Sequence, residues 1–357
     1  MPEFSTQPTH HQAGDIQDSF NCQVTHLQIE PTTRCNYTCE FCCGRYMDQT
    51  DLDVDNFRQA LDQLPDLKHL ELQGEGEPLL HKNFFAMAKL ATDRGIKVST
   101  ISNGSLFTSS RIKQIIDCGI QSVMVSIESR DESEFQQIRG GSLKKVKRGI
   151  TDLINYRNDH HQGSGPALPA VGFTVTVLKS TQQELTRIAD LYQELNMDGG
   201  ILIHTLSPMN AYSQHYSDSL KHELLSPMAQ GLVWTRYKNL MAKRQLKESP
   251  VNHFWDDLLS RQKDASEERT FQSQFSSCPW LERSLFINRH GVTTACPNVK
   301  DYESHGWGRL QSYTLSNTLE ARQAMADELE KGVIPDACAD CFIAKSICST
   351  NNQSKTE

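Results

Sequence analysis

The segment Leu27-Gln-Ile-Glu-Pro-Thr-Thr-Arg-Cys-Asn-Tyr-Thr-Cys-Glu-Phe-Cys42 joins a strand pattern directly to three cysteines. The strand is predicted at Thr25–Glu30, and Cys35, Cys39 and Cys42 follow with the spacing C-x3-C-x2-C. A cysteine loop placed directly after a strand lies at the end of that strand. We therefore expect the three thiols to lie together at one edge of a sheet.

Strand and helix patterns alternate along the chain from Val24 to about Thr205. Six strands separated by helices favour an α/β fold with a parallel sheet built from right-handed units. The number of repeats predicts a partial (β/α)6 TIM-like barrel, with its active site at the carboxyl ends of the strands. The strands are predicted at Thr25–Glu30, Leu67–Gln73, Lys97–Ser102, Ser122–Glu128, Val171–Leu178 and Ile201–Thr205, and the helices at Val54–Leu64, Asn83–Arg94, Ser109–Cys118, Leu143–Arg157 and Gln183–Leu195.

The alternation stops after Ser207, and the remaining chain has a different organisation. Helical patterns are predicted at Ser219–Lys247, Asn252–Gln262 and Ser316–Lys331, and a hairpin at Leu285–Asn288 and Val292–Ala295. We expect a flexible N-terminal tail over residues 1–23, the barrel over 24–206, a helical connecting segment over 207–277 and a small cysteine-rich domain over 278–357.

Composition excludes several classes of protein. The 357 residues carry 36 Lys and Arg against 44 Asp and Glu, and this net charge of −8 argues against a general nucleic-acid binder. No stretch of apolar residues is long enough to span a membrane, and no signal peptide is recognisable, so a cytoplasmic location is predicted. Eleven cysteines in a reducing compartment point to metal binding rather than disulfides.

The first cysteine group has the number of thiols that an open metal site requires. A [4Fe–4S] cluster with only protein ligands takes four cysteines, so three leave one iron with a free position. Open positions are typical of catalytic metal sites. A zinc knuckle or a redox thiol pair is the alternative that the spacing alone leaves open.

This segment, with Phe41 directly before the third cysteine, resembles the signature of radical S-adenosylmethionine (SAM) enzymes. The resemblance implies that the open iron chelates the amino and carboxylate groups of SAM. An electron from the reduced cluster then cleaves the sulfonium, and the resulting 5′-deoxyadenosyl radical abstracts a hydrogen from the substrate. A flavodoxin-type or ferredoxin-type electron donor is implied as a partner.

Further motifs that follow the second to fourth strands resemble sequence motifs of this family. Gly74-Glu75-Gly76-Glu77-Pro78 resembles the GGEP motif that binds the SAM amino group, and Ser102-Asn103-Gly104 resembles a turn near the ribose. Ser126-Ile127-Glu128-Ser129 resembles a Ser-hydrophobic-Asp-Gly motif, but Glu128 and Ser129 depart from it. Arg139, in Ile138-Arg139-Gly140, matches a stretch whose arginine is a candidate partner of the SAM carboxylate.

A second cysteine group lies near the C-terminus. Cys278 and Cys296 flank the predicted hairpin around Gly291, and Cys338-x2-Cys341 follows. Four thiolates make a closed site, which by residue type is either iron–sulfur or a structural zinc ribbon. The group resembles the SPASM/twitch auxiliary domain, which implies one auxiliary [4Fe–4S] cluster on these four cysteines. Cys348 is either a substitute ligand or a bystander.

The resemblance implies a reaction class but not a substrate. Oxidative modification of a peptide, by oxidation or crosslinking, is the favoured hypothesis, and dehydrogenation of a small natural-product intermediate is the alternative. A non-enzymatic zinc-binding module is the third reading. With about twenty-three residues before the first strand, a peptide substrate calls for a separate recognition protein or a groove formed by Ser207–Ser277. No acid or base residue is identified by the sequence.

Overall fold

The barrel half of the chain has six parallel strands that alternate with helices. The computed structural model describes residues 24–161, 163–165, 167–246, 277–309 and 315–353. The predicted tail over 1–23 and the predicted helix Asn252–Gln262 lie outside these residues. The elements are β1 His26–Ile29, α1 Val54–Gln63, β2 His69–Leu72, α2 Phe84–Asp93, β3 Lys97–Ser102, α3 Ser109–Asp117, β4 Ser122–Ser126, α4 Glu132–Arg139, α5 Leu143–His160, β5 Ala170–Val177, α6 Glu184–Glu194 and β6 Ile201–Thr205.

The strands pair in the order of the chain. The sheet has the order β6-β5-β4-β3-β2-β1, and every neighbouring pair is parallel, as a succession of βαβ units requires. All six strands therefore end at one edge. This arrangement confirms the predicted partial TIM-like barrel, and it places the loops after β1 to β4 side by side.

The C-terminal part continues the same sheet. Its elements are α7 Asn210–Ser213, α8 Asp218–Lys221, α9 Pro227–Arg244, α10 Pro279–Arg283, β7 Ser284–Ile287, β8 Thr293–Thr294, α11 Tyr302–His305, α12 Leu315–Glu330 and α13 Phe342–Gln353. The expected hairpin forms, with β7 antiparallel to β8. In addition β7 pairs in parallel with β1, which the hairpin pattern did not predict. The C-terminal segment that carries the second cysteine group is thereby fixed to β1, the strand that leads into the first cysteine loop.

Two further differences have local causes. The helix predicted at Ser219–Lys247 is broken, because Pro227 can only begin a helix; the Ser226 hydroxyl caps α9 by accepting from the Ala229 N–H at 3.3 Å. Helix α4 was not predicted. It is a single short element that begins at its Asp131 cap and ends at Gly140, whose φ of 72° suits glycine.

The described residues form two main apolar cores, beside a third cluster of Leu178, Leu206, Tyr216 and Leu220. The larger lies between the sheet and its helices and includes Leu27, Phe57, Phe84 and Phe135, all fully buried. The smaller contains Leu329, Ile343, Ala344 and Ile347 together with C-terminal cysteines. Within the described residues, no helix is both long and apolar enough to cross a bilayer.

Candidate functional site

The first cysteine loop lies at the carboxyl end of β1, as predicted. Cys35 is exposed, Cys42 is partly buried and Cys39 is 8% exposed. The Cys42 N–H donates to the Cys39 carbonyl at 3.2 Å, which turns the chain between these two residues. The Tyr37 N–H points at Cys35 Sγ from 3.4 Å. One tight turn therefore presents all three thiols at the mouth of the barrel.

Burial and mutual repulsion make these thiols costly to ionise in the metal-free protein. Burial, reinforced by nearby Glu128 and Cys35, raises the pKa of Cys39 to about 11. Burial likewise raises the pKa of Cys42, with the Glu75 carboxylate and Cys39 adding to it. Iron binds thiolates and compensates their charge, so the largely desolvated thiols of Cys39 and Cys42, with the exposed Cys35 in the same loop, fit a cluster that supplies positive charge.

The loop after β2 approaches the cysteine loop closely. A Cβ on Gly76 would lie 2.7 Å from the Arg34 carbonyl oxygen and nearer still to that of Thr32, so only glycine allows this contact. In the same loop, the Glu77 carboxylate is 2% exposed and accepts from the Ser102 hydroxyl at 2.8 Å and the Asn103 N–H at 2.7 Å. The motifs after β2 and β3 therefore form one hydrogen-bonded unit.

Asn103 connects this unit to the first cysteine. Its Nδ2 donates to Asn36 Oδ1 at 2.9 Å and lies 3.8 Å from Cys35 Sγ. Asn36 Nδ2 donates in turn to Ser105 Oγ at 2.9 Å. Asn103, which the resemblance places near the SAM ribose, thus lies beside the exposed thiol.

The loop after β4 contributes an ion pair that runs under the cysteine loop. Arg139 Nη2 donates to Glu128 Oε1 at 2.6 Å, and both side chains are buried. Arg139 Nη1 lies 3.8 Å from Cys39 Sγ, and the guanidinium lies 5.8 Å from the centre of the Phe41 ring. Ser126 ends β4 beside this pair. Glu128 binds Arg139 in this structure, so the predicted contact of either residue with SAM stays a prediction.

A buried contact between the second-strand loop and the C-terminal segment was not anticipated. Lys300 Nζ donates to Glu75 Oε1 at 2.6 Å. The Tyr212 hydroxyl donates to Asn298 Oδ1 at 3.1 Å and lies 3.5 Å from the same Glu75 oxygen. The only sequence signal was the position of Asn298 and Lys300 just after Cys296-Pro297. Glu75 therefore contacts Lys300 of the C-terminal segment, although the resemblance groups Glu75 with the SAM-binding residues.

The four C-terminal cysteines expected to hold a second cluster belong to the smaller core. Cys338 is 9% exposed, and Cys278, Cys296 and Cys341 pack against the same core. Burial, with the neighbouring Cys296, raises the pKa of Cys278 to about 12. Burial and the neighbouring Cys341 raise the pKa of Cys296 to about 11, against the opposing effect of a backbone hydrogen bond from Asn298. The structure thus brings together thiols from the segments before, within and after the hairpin.

The residue types of this group fit either an iron–sulfur cluster or a structural zinc ion. In the described part of the chain, no group of three or more His, Cys, Asp and Glu side chains is arranged to hold a metal ion. All cysteines of the described ranges are free thiols. Cys348 points its Sγ at the Leu329 carbonyl oxygen from 3.9 Å.

A cavity of about 910 Å³ is lined by residues from both cysteine-bearing parts of the chain. Cys43 and Met47, from the first cysteine loop, form one wall. The C-terminal part of the chain also lines the cavity. Its lining residues include Asn298 and Lys300, and Ala337 and Ala339 on either side of Cys338. A volume of this size suits a small molecule or several residues of a peptide.

Comparison with protein families decides the assignment. Residues 29–192 match the Radical SAM superfamily, a span that begins in β1 and ends in α6. It includes the three cysteines, the loop of Glu77 and the Glu128–Arg139 pair. This match identifies residues 29–192 as a Radical SAM domain.

Several known proteins are similar to this chain over part of its length or in their fold. A tungsten-containing aldehyde ferredoxin oxidoreductase cofactor-modifying protein of Pyrococcus furiosus is 29% identical over 192 residues, which is 52% of each chain. The chain thus spans about half the length of this curated relative. In structure, Streptococcus suis SuiB bound to precursor peptide SuiA has a TM-score of 0.67 at 13% identity, covering 91% of this chain and 71% of SuiB. Native anSMEcpe with bound AdoMet has a TM-score of 0.65 at 14% identity, and the match covers 93% of this chain and 97% of anSMEcpe. These structures show a shared fold.

Proposed function

We propose that this chain reductively cleaves SAM at a [4Fe–4S] cluster held by Cys35, Cys39 and Cys42, and uses the resulting radical to modify a peptide oxidatively. Bound together, the cluster and SAM supply the one-electron chemistry that removes a hydrogen atom from the substrate. The observation that carries the proposal is that the loop of Cys35, Cys39 and Cys42 lies beside the loops after β2, β3 and β4 at one end of a parallel barrel.

The chain's own residues supply the frame for that chemistry. Glu77 is held between Ser102 and the Asn103 N–H, so its carboxylate is fixed where the resemblance places the SAM amino group. Arg139 and Glu128 stiffen the wall behind Cys39 through a buried charge-assisted contact. Positions held by packing and hydrogen bonds require little rearrangement when a ligand binds.

The proposal includes an auxiliary [4Fe–4S] cluster of the SPASM/twitch type on Cys278, Cys296, Cys338 and Cys341. Its support is the shared burial of these thiols in one small core and the presence of Ala337 and Ala339, on either side of Cys338, in the lining of the same cavity as Cys43. A metal centre near this cavity would be suited to accept an electron from a substrate radical. Because such clusters need reduced thiols, the proposal also includes a cytoplasmic location.

Peptide modification is favoured by the likeness to Streptococcus suis SuiB, whose crystal structure contains the bound precursor peptide SuiA. The other candidate is oxidation of a small molecule, favoured by the name of the Pyrococcus furiosus relative, which states that it modifies a cofactor. A short precursor-peptide gene beside this one would support the first, and cofactor or cyclitol genes the second. Separate electron donors and a peptide-recognition protein are part of the proposal.

The test uses anaerobically reconstituted protein with dithionite, SAM and the neighbouring gene's peptide. The expected result is 5′-deoxyadenosine together with a peptide of lower mass, because oxidation or crosslinking removes hydrogen. A peptide that stays unchanged while 5′-deoxyadenosine forms would overturn the peptide assignment and leave the radical SAM activity in place.

A further inference from the structure

The ion pair of Glu75 and Lys300 joins the two cysteine-bearing parts of the molecule. Lys300 lies four residues after Cys296, and Glu75 lies in the loop after β2. The Glu75 side chain is 17% exposed and the Lys300 side chain 11%, and the distance from Lys300 Nζ to Glu75 Oε1 is 2.6 Å. A charge-assisted contact of this length between largely desolvated groups is among the stronger polar contacts in proteins.

The Glu75 carboxylate also faces a cysteine of the first group. Glu75 Oε2 lies 3.7 Å from Cys42 Sγ, and the Glu75 carbonyl oxygen lies 3.5 Å from the same sulfur. A lone negative charge at this distance in a poorly solvated site would oppose any further negative charge on that sulfur or on iron bound to it.

Lys300 neutralises the charge of the Glu75 carboxylate, and neighbouring residues hold both side chains in place. Its Nζ lies 5.3 Å from the centre of the Tyr212 ring, a cation–π contact. Glu75 is held on its backbone side too, because its N–H donates to Glu30 Oε1 at 2.9 Å. A second cation of the cavity wall, Arg289, contacts Glu30 and Asp48 instead. Lys300 is therefore the cation of this wall that contacts Glu75.

We propose that Lys300 is a positioning residue that neutralises Glu75 beside Cys42 and so sets the reduction potential of the cluster on Cys35, Cys39 and Cys42. Reduction adds one electron, and an uncompensated carboxylate next to a ligand thiolate makes that addition harder. Reduction potentials of iron–sulfur clusters respond to net charge and hydrogen bonding around their sulfurs. The inference rests on the proposed function, because it requires a cluster at the first cysteine group.

The test is a redox titration of reconstituted holoprotein followed by electron paramagnetic resonance. The first-cluster signal is identified by its loss in Cys39→Ala. Lys300→Met is expected to shift the potential to more negative values, and Glu75→Gln to more positive values. The double variant, which removes both charges, is expected to return toward wild type, and Lys300→Arg, which keeps the charge, to stay near it. Lys113→Met is the matched control, because it removes a solvent-screened surface cation.

The variants distinguish an effect of the Lys300 charge on the reduction potential from an effect of its packing. A Lys300→Met shift that persists in the double variant, or equal potentials in all variants with equal iron content, would overturn the inference while leaving the proposed function intact. Where Lys300→Met holds less iron than wild type, Lys300→Arg and the double variant carry the comparison. A wild-type protein with no cluster on the first group would instead refute the proposed function itself.

Discussion

The Arg139 guanidinium binds the Glu128 carboxylate beneath the first cysteine loop, with Nη2 2.6 Å from Oε1 and Nη1 3.8 Å from Cys39 Sγ. Glu128 is fully buried and Arg139 is 7% exposed. Glu128 also raises the pKa of Arg139 despite the opposing effect of burial, so the guanidinium stays charged. The pair gives a physical reason for a glutamate at a position where the resembled motif has aspartate: its carboxylate is held by an arginine of the next helix.

The first prediction concerns the stability that this pair provides. Arg139→Ala leaves a buried carboxylate without its partner, so we expect the free energy of unfolding to fall by about 3–5 kcal/mol. Chemical denaturation of the metal-free protein measures it. Arg148→Ala is the control, since that arginine is solvent-exposed and its 3.8 Å contact with Asp152 is a surface one. We expect the control to stay within about 0.5 kcal/mol of wild type. Equal losses in both variants would contradict the role given to Arg139.

A second prediction tests the close approach of two loops. In Gly76→Ala the new Cβ meets backbone carbonyl oxygens that cannot rotate away, so the loops must separate. We expect a loss of about 1–3 kcal/mol in unfolding free energy and less iron bound at the first site. Gly231→Ala is the matched control, because a Cβ there meets nothing within 4 Å in the middle of helix α9. It should stabilise the protein by roughly 0.5–1 kcal/mol. An unchanged iron content in Gly76→Ala would argue against the loop contact.

The third prediction separates ligands from bystanders in the C-terminal group. Cys296→Ala is expected to lower bound iron and sulfide by about four each, while 5′-deoxyadenosine formation from SAM continues at the first site. Cys348→Ala is expected to keep the full iron content, because that thiol points at the Leu329 carbonyl oxygen. Metal analysis of both proteins provides the measurement. Zinc in place of iron at this site would support the zinc-ribbon alternative.

A fourth prediction uses the reactivity of a cysteine outside both groups. Cys118 is 6% exposed, and burial together with Asp117 raises its pKa to about 11. At pH 8 its thiolate fraction is then about 100-fold lower than for a thiol of pKa 9, and the alkylation rate should rise about tenfold per pH unit up to pH 11. Mass spectrometry after timed alkylation of native and denatured protein measures this. Equal rates in both states would show that the thiol is not buried as described.

Much of the fold follows from local patterns. Strand β3 and strand β6 have the predicted bounds, because turn signals mark their ends: Gly95 and Asn103-Gly104 flank β3, and Gly199-Gly200 precede β6. The pairing of β7 with β1 could not be foreseen, since hydrophobic alternation specifies a strand but not its distant partner. The same limit applied to the site. Cys35, Cys39 and Cys42 are close in sequence, so their proximity was predictable, whereas the contact of Glu75 with Lys300 spans 225 residues.

The most direct test of the account measures 5′-deoxyadenosine after anaerobic reconstitution, with dithionite and SAM, in wild type, Cys39→Ala and Cys118→Ala. We predict brown wild-type protein with about eight irons and eight sulfides, product in wild type and in Cys118→Ala, and none in Cys39→Ala. Colourless, zinc-bound protein, or product formed equally well without the Cys39 thiol, would contradict it.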